Sequence, residues 1–352
     1  MTRNASAKFG LSSISTILAG SLFALLAAQP IPARAADPAK IRVMTYNGAY
    51  TSLPVHVAKD MGFYAKHDLD AELLVMNSGP AGVAALLGGS LDFIEPPTDQ
   101  IIENAVRGTD LKIVVGNEVK NFYVLIGAKR ESFPNADQGY PAVMKDLKGK
   151  RIGVNALGAT THLMTNALLK GGGLTPDDVS YLAVGSATTA LAAWQADRID
   201  VQMAFTPFPE IIAALGTGRP LVDLSKGQGP SELQALGGAF EAFSAKGSFI
   251  KEHPDVVDAF IKAHIDAITW MKDPANRQKL VEIVNQYVNV AVIPEDKRKE
   301  TVEKMIDNYT NYLGYTVDRA SISAWNTYLL DNKLIDHAVK AEDIIYSGAP
   351  KP

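Results

Sequence analysis

The 352-residue chain has no cysteine. No disulfide can staple the fold, and no lipid-modified cysteine can tether a mature N-terminus. An excess of charge is missing too: charged residues are 20% of the chain and the formal net charge is −4. A nucleic-acid footprint, which needs a basic face with interleaved aromatics, is therefore not expected. The motifs of common enzymes are absent as well. There is no G-x-S-x-G elbow, no G-x-x-x-x-G-K-[ST] phosphate loop and no G-x-G-x-x-G dinucleotide turn. The histidines, at 56, 67, 162, 253, 264 and 337, never pair at i,i+2 or i,i+4, so no local metal pattern appears. No metal, cofactor or catalytic residue is expected on this basis, although groups distant in sequence can still meet in space.

What is present begins with an N-terminal export pattern. Arg3 and Lys8 precede the apolar run Ile17–Ala28, which is too short to span a bilayer and is followed by Pro30, Pro32 and the A-x-A site Ala33-Arg34-Ala35. Residues 1–35 are read as a signal peptide cleaved near Ala35, which places the mature chain in the periplasm. No later segment is apolar for long enough to cross a membrane. About 315 mature residues exceed what one core usually holds, so two lobes are expected.

From Ile41 the chain alternates short apolar runs with helical patterns, the signature of α/β units with crossover helices. IRVMTY, AELLVM, LDFI and LKIVVG form one set; RIGVN, SYLAVG, IDVQMAF and PLVDL form a second. The sets repeat at an offset of 108, which pairs Asn47 with Asn155, Ser78 with Ser186, Asp92 with Asp200 and Thr98 with Thr206. Residues from about 247 to 332 read as amphipathic helices. Crossings between the units are expected near residues 117–122 and 236–240. They give a lobe 1 of residues 36–118 and 240–352 and a lobe 2 of residues 119–239.

Open α/β sheets bind ligands at the carboxyl edges of their strands. There the sequence places polar loops that run into helix starts, where free N–H groups hold an anion without lysine or arginine. Gly158 lets the backbone approach, and Thr160 and Thr161 add hydroxyls, as Asn47, Thr51, Ser78, Gly79, Thr98, Ser186 and Thr206 do elsewhere. Threonine at a helix start is also an ordinary cap, so the set of junctions carries more weight than any member. His162 either donates to a ligand or packs. Among the flanking aromatics Tyr50, Phe205 and Phe208, Tyr50 is expected to point into the cleft because it follows the Gly48-Ala49 turn. Glu95 is either a solvated rim group or the partner of an amine or ring N–H. Asp92 and Asp200, at strand starts, read as structural.

These motifs, taken in order from Ile41 to Leu224, make the chain resemble the nitrate/sulfonate/taurine group of ABC-transporter substrate-binding proteins. The resemblance implies a two-lobed type II periplasmic binding fold, with two open sheets and flanking helices joined by two crossover segments. It also implies a small-molecule ligand in the inter-lobe cleft, and an inner-membrane permease with its ATPase as partners of a monomeric carrier that is not an enzyme. Its ligand loops fall on Tyr46–Ser52, Ser78-Gly79, Pro96–Thr98, Gly158–His162, Ser186-Ala187 and Phe205–Phe208. No lysine or arginine lies in them, which points to a small organic anion or zwitterion such as an aliphatic sulfonate, taurine or an aromatic carboxylate. The alternatives are a pyrimidine or thiamine-precursor binding protein and a periplasmic enzyme using His162. The related enzyme that makes a thiamine pyrimidine precursor carries a cysteine-rich iron site, which this chain lacks.

Overall fold

The computed structural model describes residues 37–352, so the expected signal peptide lies outside the described residues. Nine strands are present among the described residues: β1 Ala39–Tyr46, β2 Leu69–Met76, β3 Leu111–Lys120, β4 Val124–Ala128, β5 Arg151–Val154, β6 Ser180–Ala183, β7 Val201–Ala204, β8 Gly218–Asp223 and β9 Gly237–Lys246. In β1 the inward positions Ile41 and Val43 are fully buried while Arg42 between them is only half-buried, the period-2 pattern of a strand with one face on a core.

The strands make two assemblies of the same design. In the first, β1 pairs in parallel with β2, Val43 bridges Phe93, Ile94 bridges Ser244 of β9, and β9 runs antiparallel to β3. The second is one five-stranded sheet of order β6-β5-β7-β4-β8, with β5 parallel to β6 and β7, and β4 antiparallel to β7 and β8. The run LDFI therefore contributes two bridging residues instead of a full strand. Two strands were not anticipated: β4, whose five residues are all buried, and the ten-residue β9.

The internal repeat is visible in the bonding. Arg42 donates its backbone N–H (2.7 Å) and its guanidinium to Asp92, and Arg151 does the same to Asp200 (backbone 2.9 Å). At the other end of these strands, the N–H of Tyr46 donates to Ser52 Oγ (2.6 Å) and that of Asn155 to Thr161 Oγ1 (3.0 Å). Asp92 and Asp200 keep the offset of 108, but Tyr46 and Asn155 are 109 apart, so Asn155 is equivalent to Tyr46 and not to Asn47. The reason is one residue fewer between the paired positions of the second unit.

Two stretches connect the assemblies: residues 121–123 lead from β3 to β4, and residues 224–236, with a 3-10 turn at Leu224–Lys226 and a short helix at Ser231–Gln234, lead from β8 to β9. The C-terminal helices close over the first assembly. Helix Pro254–Lys272 packs on helix Leu53–Asp60, stacking Phe260 on Phe93 with centroids 3.9 Å apart. Gly116 of β3 lies so close to the backbone of residues 314–316 that a β-carbon there would meet carbonyl oxygens. This close approach holds the segment that follows helix Glu295–Tyr312 against β3. Among the described residues no helix is long and apolar enough to cross a membrane.

Candidate functional site

The loops at the carboxyl edges of both assemblies converge on one small cavity of ≈ 20 Å³, room for about one water. Tyr46, Thr51, Gly79, Pro97, Gln100 and Glu241 line it from the first assembly. Tyr123, Asn155, Ala159, Thr160, Thr161 and Phe205 line it from the second. No lysine or arginine is in the lining. Gly79 lets the Gln100 amide lie close to the helix start, where a β-carbon would displace it.

Of the candidate site residues, Thr51, Gly79, Thr160, Thr161 and Phe205 are brought together here. Thr160, expected to face a ligand anion, donates its hydroxyl to both carboxylate oxygens of Asp99 (2.8 and 2.9 Å). Thr161 accepts the Asn155 N–H, as above. A carboxylate thus already stands against the start of helix Thr160–Gly171, across the junction between the assemblies. Burial raises Asp99 to about 7, against the opposing hydrogen bond from Thr160.

Other candidates lie away from the cavity. Asn47 and Gly158 are exposed, the latter in a turn with φ +79°. Ser78 caps helix Gly79–Leu87 by accepting the Ala81 N–H (3.4 Å), and Ser186 is the buried N-cap of helix Ala187–Gln195. Thr98 donates to the carbonyl of Ala239, tying a helix start to β9. Thr206 bonds to Glu210 (3.1 Å) and Tyr312 (2.7 Å), while Phe208 packs edge-on against Trp194 (5.5 Å). His162 accepts the Gly158 N–H (3.0 Å) and sets its ring against Tyr181 (4.5 Å); partial burial lowers its pKa. This local arrangement gives it no catalytic partner among the described residues.

Two expectations are corrected. Tyr50 does not point into the cleft. The turn Tyr50–Ser52 rolls its ring inward, where it is fully buried and edge-on to Tyr309 (5.6 Å), with its hydroxyl unpaired. Glu95 is not a rim group. It is fully buried, because its neighbours Phe93 and Ile94 are sheet members that draw the chain into the core.

Glu95 belongs to a cluster that sequence reasoning missed. One carboxylate oxygen each from Glu95, Glu118 of β3 and Glu241 of β9 lie within 4.8 Å of one another, and all three residues are buried. Asn117 donates its side-chain amide to Glu95 and lies 3.1 Å from both Glu118 oxygens. Tyr309 donates to Glu118 (2.9 Å) and Tyr123 to Glu241 (3.2 Å). Among the described residues no lysine, arginine or histidine pairs with any of the three. Burial, with the neighbouring carboxylates adding to it, pushes Glu95 and Glu118 well above the ordinary carboxylate range. Burial likewise brings Glu241 to about 8, opposed by the Tyr123 hydrogen bond and reinforced by Asp99. The sequence signal was a lone acid inside an apolar strand, in LKIVVGNEVK and in GGAFEAFSAK.

A larger groove of ≈ 620 Å³ lies on the other side of the crossing. It is lined by Phe122 and Thr206, the chain neighbours of the cavity residues Tyr123 and Phe205, and by Glu210, Lys297, Asn311 and Tyr312.

The model of the NMT1-like family matches residues 34–285. The taurine-binding periplasmic protein of Escherichia coli (strain K12) is 27% identical over 242 residues, covering 65% of this chain and 69% of that protein. Among solved structures, the alkanesulfonate-binding protein SsuA from Xanthomonas axonopodis pv. citri, bound to MOPS, superposes with a TM-score of 0.68 at 18% identity, over 88% of this chain and 99% of that one. A Candida albicans gene product described as having the generic periplasmic binding protein fold superposes with a TM-score of 0.64 at 13% identity, over 89% and 97% of the two chains. At these identities the structures establish the fold, the two-lobed α/β architecture of periplasmic binding proteins.

Proposed function

Because the chain belongs to the NMT1-like family, we propose that it is a periplasmic solute-binding protein, the component of an ABC importer that captures a small organic solute between two lobes and delivers it to the permease and its ATPase. The carrying observation is that loops from both assemblies converge on one cavity lined by three aromatic rings and polar side chains with no basic residue. On this reading residues 1–35 are the export signal, residues 36–118 with 240–352 and residues 119–239 are the lobes, and the protein acts as a monomeric carrier and not as an enzyme. The cargo is a small organic anion or zwitterion of the taurine, aliphatic sulfonate or aromatic carboxylate class; the name of the E. coli relative supports the first of these. The backbone N–H groups of Gly79, Thr160 and Thr161, at the starts of their helices, supply the anion-binding groups.

The cavity as it stands is too small for such a molecule, so capture proceeds through hinge opening at the crossings and closure onto the ligand. A pyrimidine-like cargo is the second reading, favoured by Tyr46, Tyr123 and Phe205 around the hydrogen-bond acceptors of Gln100 and Glu241.

A thermal-shift screen over taurine, alkanesulfonates, aromatic carboxylates, pyrimidines and nitrate tests the proposal. A true cargo stabilises the fold by about 2.7 kcal/mol at a hundredfold excess over Kd and is not turned over. Turnover of any of these compounds that is lost in His162→Ala would sink the carrier reading.

A further inference from the structure

We propose that the Glu95–Glu118–Glu241 cluster, with Gln100 at its cavity side, is the seat of a cationic nitrogen, so that the cargo is an ammonium-bearing solute and not a plain anion. The inference rests on the reading that the cavity takes the cargo.

Three observations carry it. The cluster is short of hydrogen-bond donors: Asn117, Tyr123 and Tyr309 supply hydrogens, yet Glu95 Oε2 and Glu241 Oε2 are buried and have no partner. A buried carboxylate left in this state is costly unless a proton or a cation joins it. Second, the cluster meets the cavity through Glu241. Gln100 lines the cavity as well, is 5% exposed, and its Oε1 also has no partner. Gln100 is no member of the acidic cluster, and it presents an unpaired acceptor to the same space. The Oγ1 of Thr51, another lining residue, is unpaired too. Third, the remaining walls suit a cation. Tyr46, Tyr123 and Phe205 offer aromatic rings, which attract ammonium groups, and no lysine or arginine competes for the carboxylate.

The titratable groups that act on the cluster are acidic or phenolic. Asp99 lies on helix Thr98–Val106, Tyr309 on helix Glu295–Tyr312, Tyr46 on β1 and Tyr123 at the crossing, and His264, on helix Pro254–Lys272, bonds to the carbonyl of Gly116 (3.1 Å) and not to a glutamate. In the empty cavity a proton must satisfy part of this cluster. An entering ammonium replaces it, and the displaced proton leaves to solvent, so cation binding is accompanied by proton release.

The test compares taurine with isethionate, which carries a hydroxyl in place of the ammonium, by isothermal titration calorimetry in two buffers of different ionisation enthalpy. The thermal-shift panel of the preceding section and calcium chloride are run alongside, on the wild type and on Glu241→Gln. The expected result is that taurine or another amine of the panel binds at least about tenfold more tightly than its amine-free counterpart, with release of protons read from the buffer dependence. Glu241→Gln should remove that preference, and the wild-type proton count keeps the test decisive if the variant folds poorly. Equal or tighter binding of isethionate, or of any panel member without a basic nitrogen, overturns the inference and leaves solute binding standing. Calcium binding that Glu241→Gln abolishes overturns it in favour of a metal seat. If nothing on the panel binds, the solute-binding reading fails and the inference falls with it.

Discussion

Thr160 gives its hydroxyl hydrogen to Asp99 and not to its own helix, so a residue that sequence alone reads as a cap or an anion donor is a tie between helix starts of the two assemblies. Replacing it by alanine leaves Asp99 buried and short of its donor. Thr160→Ala is expected to lose about 1–3 kcal/mol in urea denaturation at neutral pH, and Thr160→Ser to recover most of it; wild-type stability in the alanine variant would show that the tie contributes nothing. At this scale the sequence was legible where function and local structure coincide. Thr51, Gly79, Thr160, Thr161 and Phe205 adjoin strand ends, and strand ends make the cavity. It was not legible for Glu118 and Glu241, because their partnership exists only once β3 and β9 lie side by side. Tyr50 failed for a related reason. Its direction is set by a single turn and by the ring of Tyr309, both invisible to alternation counting.

Among elements, β1, β2, β5 and β7 were readable because each is an apolar run bounded by polar turns and followed by a helical pattern. The run LDFI had the same composition but yields only two bridging residues, because Pro96 and Pro97 end it and its strand neighbours are supplied from far along the chain. β9 escaped detection through its small residues and its glutamate, which dilute the hydrophobic signal although its central seven positions are buried. The repeat was legible from Asp92 and Asp200, whose shared task is to hold an arginine of β1 and of β5. Its register at the other end of those strands was not, since one residue of length difference between the units shifts the match.

For the molecule as a whole, the concentration of buried acid makes stability depend on pH. Asp99 at about 7 and Glu241 at about 8 both stand above their unfolded values because burial penalises their charged forms. The unfolded chain gives up the same protons near pH 4. Their contribution is therefore fully present below about pH 4 and is lost as pH rises through 7 to 8, because the folded state binds more protons across that window. The melting temperature of the ligand-free protein is expected to fall by several degrees between about pH 5 and pH 9, and the fall should be shallower in Glu241→Gln. A flat profile would show that these carboxylates are solvated in solution.

The partition formed by the crossing has a further, practical consequence. Phe122 and Tyr123 line different spaces, as Thr206 and Phe205 do, so a hinge motion at the crossing is expected to reshape the groove along with the cavity. Because the chain has no cysteine, Asn311→Cys would place a unique thiol on the exposed wall of that groove. An environment-sensitive dye attached there would sit outside the binding cavity, and its emission should change when a captured solute closes the lobes. The protein would then serve as a reagentless optical sensor for its own cargo.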